Sequence, residues 1–192
     1  MHGHGWFGPY QGHPAPGFKG AFCLSPQGRG ATDYKGLGEL DVLRAIEEVC
    51  LDFNIDRSRI YLRGGSMGGT GTLSLGVHYA DRFAGLAPTA ANSDYVAWTE
   101  RWGWNTPFEQ RFSDLRLWIQ EAHSARTFAG NLLNLPTFIQ HGSADLIVPP
   151  AHSRNTWRIL RENGCEAEFR EHPNVGHGGF PGHAMDNALA WV

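Results

Sequence analysis

The sequence is short of cysteine, of charge and of long apolar runs, and each shortage closes off a class of protein. Of its 192 residues only Cys23, Cys50 and Cys165 are cysteines. Odd in number, far apart and without a C-x-x-C pair, they make neither a disulfide framework nor a zinc ribbon. Charged residues amount to 18% and nearly cancel, with 16 Lys+Arg against 19 Asp+Glu for a net charge of −3. So small an imbalance excludes the basic footprint of a nucleic-acid binder. An apolar content of 41% excludes an extended disordered chain. No apolar run approaches the roughly 20 residues of a membrane-spanning helix. The opening residues, Met1-His2-Gly3-His4-Gly5-Trp6, carry neither the charged nor the apolar part of a secretory signal. The expectation is a reducing, cytoplasmic setting without nucleic-acid or membrane partners.

What the sequence does hold in quantity is glycine, at 25 residues, with 10 His and 7 Trp. Many glycines with many histidines suggest tight turns around a polar site. The chain shows no repeat, low-complexity tract or long linker, so residues 1–192 read as one domain. Strand-like and helix-like runs alternate, the pattern of an α/β fold with a mainly parallel sheet. Five strands are predicted, over residues 21–26, 59–63, 83–88, 137–141 and 166–170. Helices are predicted over 39–53, where Leu40, Leu43, Ile46, Val49, Cys50 and Phe53 recur at helical spacing, and from the glycine turn after Arg63 to about Tyr79. Two more are expected over 151–163 and 183–192. An aromatic-rich insertion over about 92–130 sits where a lid or cap would.

Gly64-Gly65-Ser66-Met67-Gly68 fits G-x-S-x-G, with a strand before it and a helix after it. Such a turn would hold the Ser66 hydroxyl at the carboxyl edge of the sheet, in front of the N–H groups of the next helix. A phosphate loop is disfavoured, because G-x-x-x-x-G-K-[ST] is absent and no lysine is near. A serine hydroxyl needs an imidazole to take its proton. In the order serine, acid, base, the histidine should follow the last strand, where His172, His177 and His183 compete. His177, in Val175-Gly176-His177-Gly178-Gly179, is favoured because flanking glycines would let its loop approach Ser66. His172 reads as packing at the strand end and His183 as a solvated or capping residue. Asp145, directly after a strand in His141-Gly142-Ser143-Ala144-Asp145, is favoured as the orienting acid. Asp94 is its rival and reads better as a loop residue that caps or turns the chain.

Two N–H donors must face an oxyanion. Met67, after the serine, would supply one, and His4 or Gly5 in the glycine-rich opening the other. Metal binding by His2, His4 and His13 is the weaker reading of that opening, so no metal or cofactor is expected. The insertion gathers Trp98, Trp102, Trp104, Phe108, Phe112 and Trp118, residues suited either to an apolar or aryl group or to packing. Trp6, Trp98, Trp102 and Trp104 are the candidate substrate contacts.

Taken together, His2-Gly-His-Gly-Trp6, Gly64-Gly-Ser-Met-Gly68 and the Asp145 and His177 loops resemble the α/β-hydrolase superfamily. Asn54-Ile-Asp-Arg-Ser-Arg-Ile60 and Tyr79-Ala-Asp-Arg-Phe83 resemble its prolyl oligopeptidase-like, esterase D and feruloyl esterase branch. The resemblance implies hydrolysis of a small or aromatic carboxylic ester through an acyl-serine. A serine peptidase and a non-catalytic hydrolase-like binding protein are the rivals. In that superfamily the oxyanion loop follows a central strand, whereas here the sequence opens at that loop. A reduced five-stranded sheet, steadied by self-association, is therefore expected.

Overall fold

Four parallel strands make up the sheet in a computed structural model that describes residues 21–103, 111–181, 184, 190 and 191. In chain order the elements are α1 (Leu37–Asp52), β1 (Tyr61–Gly65), α2 (Met67–His78), β2 (Gly85–Thr89), α3 (Tyr95–Arg101), α4 (Ser113–Ala122), β3 (Thr137–Gly142), α5 (Ala151–Glu162) and β4 (Ala167–His172). A 3₁₀ segment, Ala125–Leu132, joins α4 to β3. The strands lie side by side in sequence order. Parallel neighbours cannot be joined by a tight turn, and α2 and α5 supply the crossovers β1–β2 and β3–β4.

Alternation along the strands sorts the core. Leu62, Leu86 and Ile139 face one side, with Leu73, Leu75 and Val77 of α2, Leu132 and Leu160 of α5. Ala87 and Phe138 face the other, where the Trp191 ring lies 5.4 Å from that of Phe138. The middle strands β2 and β3 are buried along their whole length, as apolar parallel strands covered on both faces should be.

The described residues contain four strands rather than about five, because residues 21–26 form no ladder. Phe22 is 61% exposed and packs its ring 4.9 Å from that of Phe53, while the Pro26 carbonyl accepts the Tyr34 hydroxyl at 3.1 Å. Apolar composition favours a strand only where a neighbouring strand offers a ladder, and this run found side-chain partners instead. β1 also begins two residues later than predicted. Asp56 accepts the Ser58 N–H at 3.0 Å and its hydroxyl at 2.6 Å, winding residues 57–59 into a 3₁₀ turn.

Register places the site. Gly65 lies opposite Thr89, Thr89 opposite Gln140 and Gly142 opposite His172, so all four carboxyl ends share one edge. Ser66 leaves β1 there, and the segments carrying Asp145 and His177 leave β3 and β4 there.

Candidate active site

The turn at Ser66 is built from close backbone approach. A Cβ on Gly64 would come within 2.3 Å of the Gly68 carbonyl, and one on Gly69 within 2.5 Å of the Thr89 carbonyl. Ser66 itself is held at φ 55°, ψ −122°, a left-handed conformation that costs a non-glycine residue about 1–3 kcal/mol. Its N–H donates to the Thr89 carbonyl at 2.9 Å, and its own carbonyl accepts the Thr70 N–H at 2.9 Å, which fixes the strained residue from both sides. Ser66 stands at the N-cap of α2, yet its hydroxyl makes no capping bond and is left to face the sheet edge. Met67, buried at the first position of α2, has an N–H with no helical carbonyl to bond.

The hydroxyl meets an imidazole and the imidazole meets a carboxylate. Ser66 Oγ lies 2.7 Å from His177 Nε2, and His177 Nδ1 lies 2.7 Å from Asp145 Oδ2. The Asp145 side chain is fully buried, that of His177 a quarter exposed. A carboxylate only accepts, so His177 carries its proton on Nδ1 and presents Nε2 to the hydroxyl as an acceptor. Asp145 Oδ1 accepts the backbone N–H groups of Ile147 and Val148 at 2.9 and 3.0 Å.

The closest backbone packing around the His177 segment falls outside that segment. A Cβ on Gly176 would have nothing closer than 4.0 Å, and one on Gly178 would meet open space. Of the loop's own glycines, Gly179 takes φ 77°, a left-handed conformation suited to glycine, while the close approach falls on Gly142, where a Cβ would lie 2.2 Å from the Val175 carbonyl. The two segments are laced over it. Ala144 N–H donates to the Val175 carbonyl at 2.9 Å, Asn174 N–H to Ser143 Oγ at 2.8 Å and Ser143 N–H to the His172 carbonyl at 2.9 Å.

Asp94 caps α3, accepting the N–H groups of Val96 and Ala97 at 3.0 and 3.1 Å, and pairs with Arg126 at 2.8 Å. His172 bonds Gln140 Oε1 at 2.9 Å and stands edge-on to Phe180. Among the described residues, Trp98 and Trp102 find ring partners in each other, at 5.6 Å and T-shaped, and Trp98 in His152 at 6.2 Å. Among the described residues, neither indole makes a ring contact with His177. His2, His4, Gly5, Trp6, His13, Trp104, Phe108 and His183 lie outside the described residues.

Sequence reasoning missed His141. Its ring is fully buried, and Nε2 lies 3.1 Å from Asp145 Oδ2 and 2.9 Å from the Val148 carbonyl. Its signal in the sequence was a histidine closing a strand four residues before Asp145.

A model of the prolyl oligopeptidase family matches residues 27–191. An uncharacterized secreted protein of Arthroderma benhamiae is 29% identical over 119 residues, which are 60% of this chain and 12% of that protein. Among solved structures, a puromycin-hydrolyzing peptidase of Mycobacterium tuberculosis superposes with a TM-score of 0.66 at 21% identity, over 85% of this chain and 25% of that one. The acylaminoacyl peptidase of Pyrococcus horikoshii gives 0.63 at 21% identity, over 82% and 26%. A thermostable esterase gives 0.53 at 23% identity, over 80% and 32%. The chain thus spans a third or less of the length of each, and at these identities the likeness to solved structures speaks for the α/β-hydrolase fold.

Proposed function

The chain belongs to the prolyl oligopeptidase family, and from that premise we propose that it is a serine hydrolase acting on small or aromatic carboxylic esters, with Ser66, His177 and Asp145 as its catalytic residues. The observation that carries this reading is the unbroken line Ser66 Oγ–His177 Nε2 and His177 Nδ1–Asp145 Oδ2, each 2.7 Å.

As Ser66 Oγ attacks the ester carbonyl carbon, its proton passes to His177 Nε2. The imidazolium so formed is stabilised by the buried Asp145 carboxylate. The carbonyl oxygen becomes an oxyanion, for which the Met67 N–H and the N-terminal end of α2 are the natural donors. His177 then gives its proton to the departing alkoxide as the C–O bond breaks, leaving an acyl-serine. A water deprotonated by the same Nε2 attacks the acyl carbon, the acyl C–Oγ bond breaks to release the carboxylic acid, and the proton returned from Nε2 to Oγ restores the enzyme. The second oxyanion donor is proposed to be the backbone of His4 or Gly5, and the Trp98–Trp102 pair is proposed as aromatic surface for the substrate.

Peptide hydrolysis is the second reading, favoured by the family and by the two peptidase structures this fold resembles. The two are separated by offering p-nitrophenyl acetate, a longer acyl ester and an aminoacyl p-nitroanilide to wild type and Ser66→Ala. Ester turnover should exceed anilide turnover and fall by about 10⁴-fold or more in the variant. Hydrolysis that survives the substitution removes Ser66 as nucleophile. Anilide turnover ahead of ester turnover makes the protein a peptidase.

A further inference from the structure

The acid in this site is shared by two histidines, and only one of them faces the serine. Asp145 Oδ2 receives His177 Nδ1 at 2.7 Å and His141 Nε2 at 3.1 Å. With the Ile147 and Val148 N–H groups on Oδ1, the buried carboxylate meets four donors. We infer that His141 is a positioning residue, whose Nε2–H bond to Oδ2 holds the Asp145 carboxylate at the angle that orients His177. This rests on the reading of Asp145 as the acid of a serine hydrolase.

The contacts of His141 leave it one protonation pattern. Nε2 faces two groups that can only accept, the Asp145 carboxylate and the Val148 carbonyl at 2.9 Å, so it must carry a proton and fork it between them. Nδ1 lies 2.7 Å from Ser153 Oγ on α5, a hydroxyl able to donate or accept. Burial of the ring disfavours the imidazolium and pushes its pKa down, against the pull of Val148 and Asp145. Ser153 therefore donates and Nδ1 accepts. His177 carries its proton on Nδ1 and His141 on Nε2, so two rings in opposite tautomers converge on one oxygen.

The geometry also says why a second donor is needed. The backbone N–H pair anchors Oδ1 alone, and a carboxylate held by one oxygen keeps freedom to swing the other. His177 is a quarter exposed and cannot serve as the anchor for the group that is meant to orient it. His141, with no exposed surface, is fixed from three sides by β3, the Asp145 loop and α5. The arrangement extends the relay backwards, from Ser66 through His177 and Asp145 to His141 and Ser153.

The test compares the full chain as wild type, Ser66→Ala, His141→Leu and His141→Gln. Its readouts are kcat and KM on p-nitrophenyl acetate, the thermal midpoint, and the far-downfield proton resonance of an imidazole N–H bonded to a buried carboxylate. His141→Leu should lose about 10- to 100-fold in kcat, the worth of one hydrogen bond to a charged group, with KM within about twofold. The His177 Nδ1–H resonance should broaden or vanish in it. His141→Gln places an amide N–H where Nε2 was and should recover both. A Leu variant with wild-type kcat overturns the inference, as does one that loses kcat while its resonance is unchanged. If the Leu variant does not fold, the Gln variant decides. Folded with kcat and resonance retained, it supports the inference; folded with both lost, it overturns it. Full hydrolysis by Ser66→Ala would sink the hydrolase reading and with it this inference, whereas loss of hydrolysis in Ser66→Ala with an unchanged resonance in His141→Leu would sink this inference alone.

Discussion

A single hydrogen atom in place of a methyl decides whether His177 can reach Ser66. Gly142 ends β3 where the chain carrying Val175 and Gly176 crosses it, and a Cβ there would sit 2.2 Å from one carbonyl oxygen and 2.5 Å from the next. Both obstacles are backbone, so the crossing segment would have to move bodily. Gly142→Ala should shift His177 by the order of an ångström, lowering kcat about 100-fold. Overpacking should also cost about 1–3 kcal/mol of stability. Paired kinetics and urea unfolding would read both effects. At this scale the sequence displayed Ser66 openly, because a strand, a G-x-S-x-G turn and a helix leave little other use for that serine. Asp145 and His177 were legible from their order along the chain and their places after strands. His141 was not, since a buried histidine on a strand looks the same whether it fills space or holds a carboxylate. Gly142 was hidden too, because its crowding comes from residues more than thirty positions away.

Elements were legible where burial imposes their pattern and illegible where it does not. β2 and β3, covered on both faces, read as short apolar runs, and the helices α1, α2 and α5 ended within about two residues of expectation. Residues 21–26 misled for the same reason that β2 did not. Both are apolar, and only the second has strands beside it. Between β2 and β3 the aromatic content pointed to a lid but did not say which residues turn inward. On α4, Gln120 is buried and bonds Thr99 while Trp118 is 69% exposed, the reverse of the usual preference. The start of α3 supplies a test that separates the two candidate acids. Asp94 caps that helix through two N–H groups and pairs with Arg126. Asp94→Ala should cost about 1 kcal/mol in unfolding free energy and leave kcat within about threefold. Asp145→Asn, made alongside it, should abolish turnover. Equal losses of kcat in the two variants would reopen the choice of acid.

Across the whole molecule, a buried polar network ties the residues before α1 to three helices. Lys35 Nζ donates to the His123 carbonyl at 2.6 Å and lies 4.8 Å above the Tyr95 ring, whose hydroxyl donates to Asp33. Glu39 on α1 accepts from Ser74 of α2 at 2.8 Å and lies 2.8 Å from His78 Nδ1. None of this is visible in the sequence, because each bond joins segments that only the fold brings together. Burial pushes the Lys35 ammonium down to about 8, against the pull of Asp33 and Glu39. In the unfolded chain the same group sits near 10.5. Between those values the unfolded state holds a proton that the folded state has released, so stability rises with pH across the window. Burial and the Asp33 carboxylate push the Tyr95 hydroxyl up, which works the other way but only above its ordinary value near pH 10. Glu39 is raised by burial but lowered further by its bonds to His78 and Ser74, so its contribution is complete above about pH 4.5 and fades only in acid. From pH 8 to 9.5 the lysine is therefore the member of this network that changes. The stability of wild type relative to Lys35→Met should climb over that interval by at most about 1.4 kcal/mol per pH unit, read from urea midpoints. A difference that stays flat or falls would show that the folded protein keeps Lys35 charged.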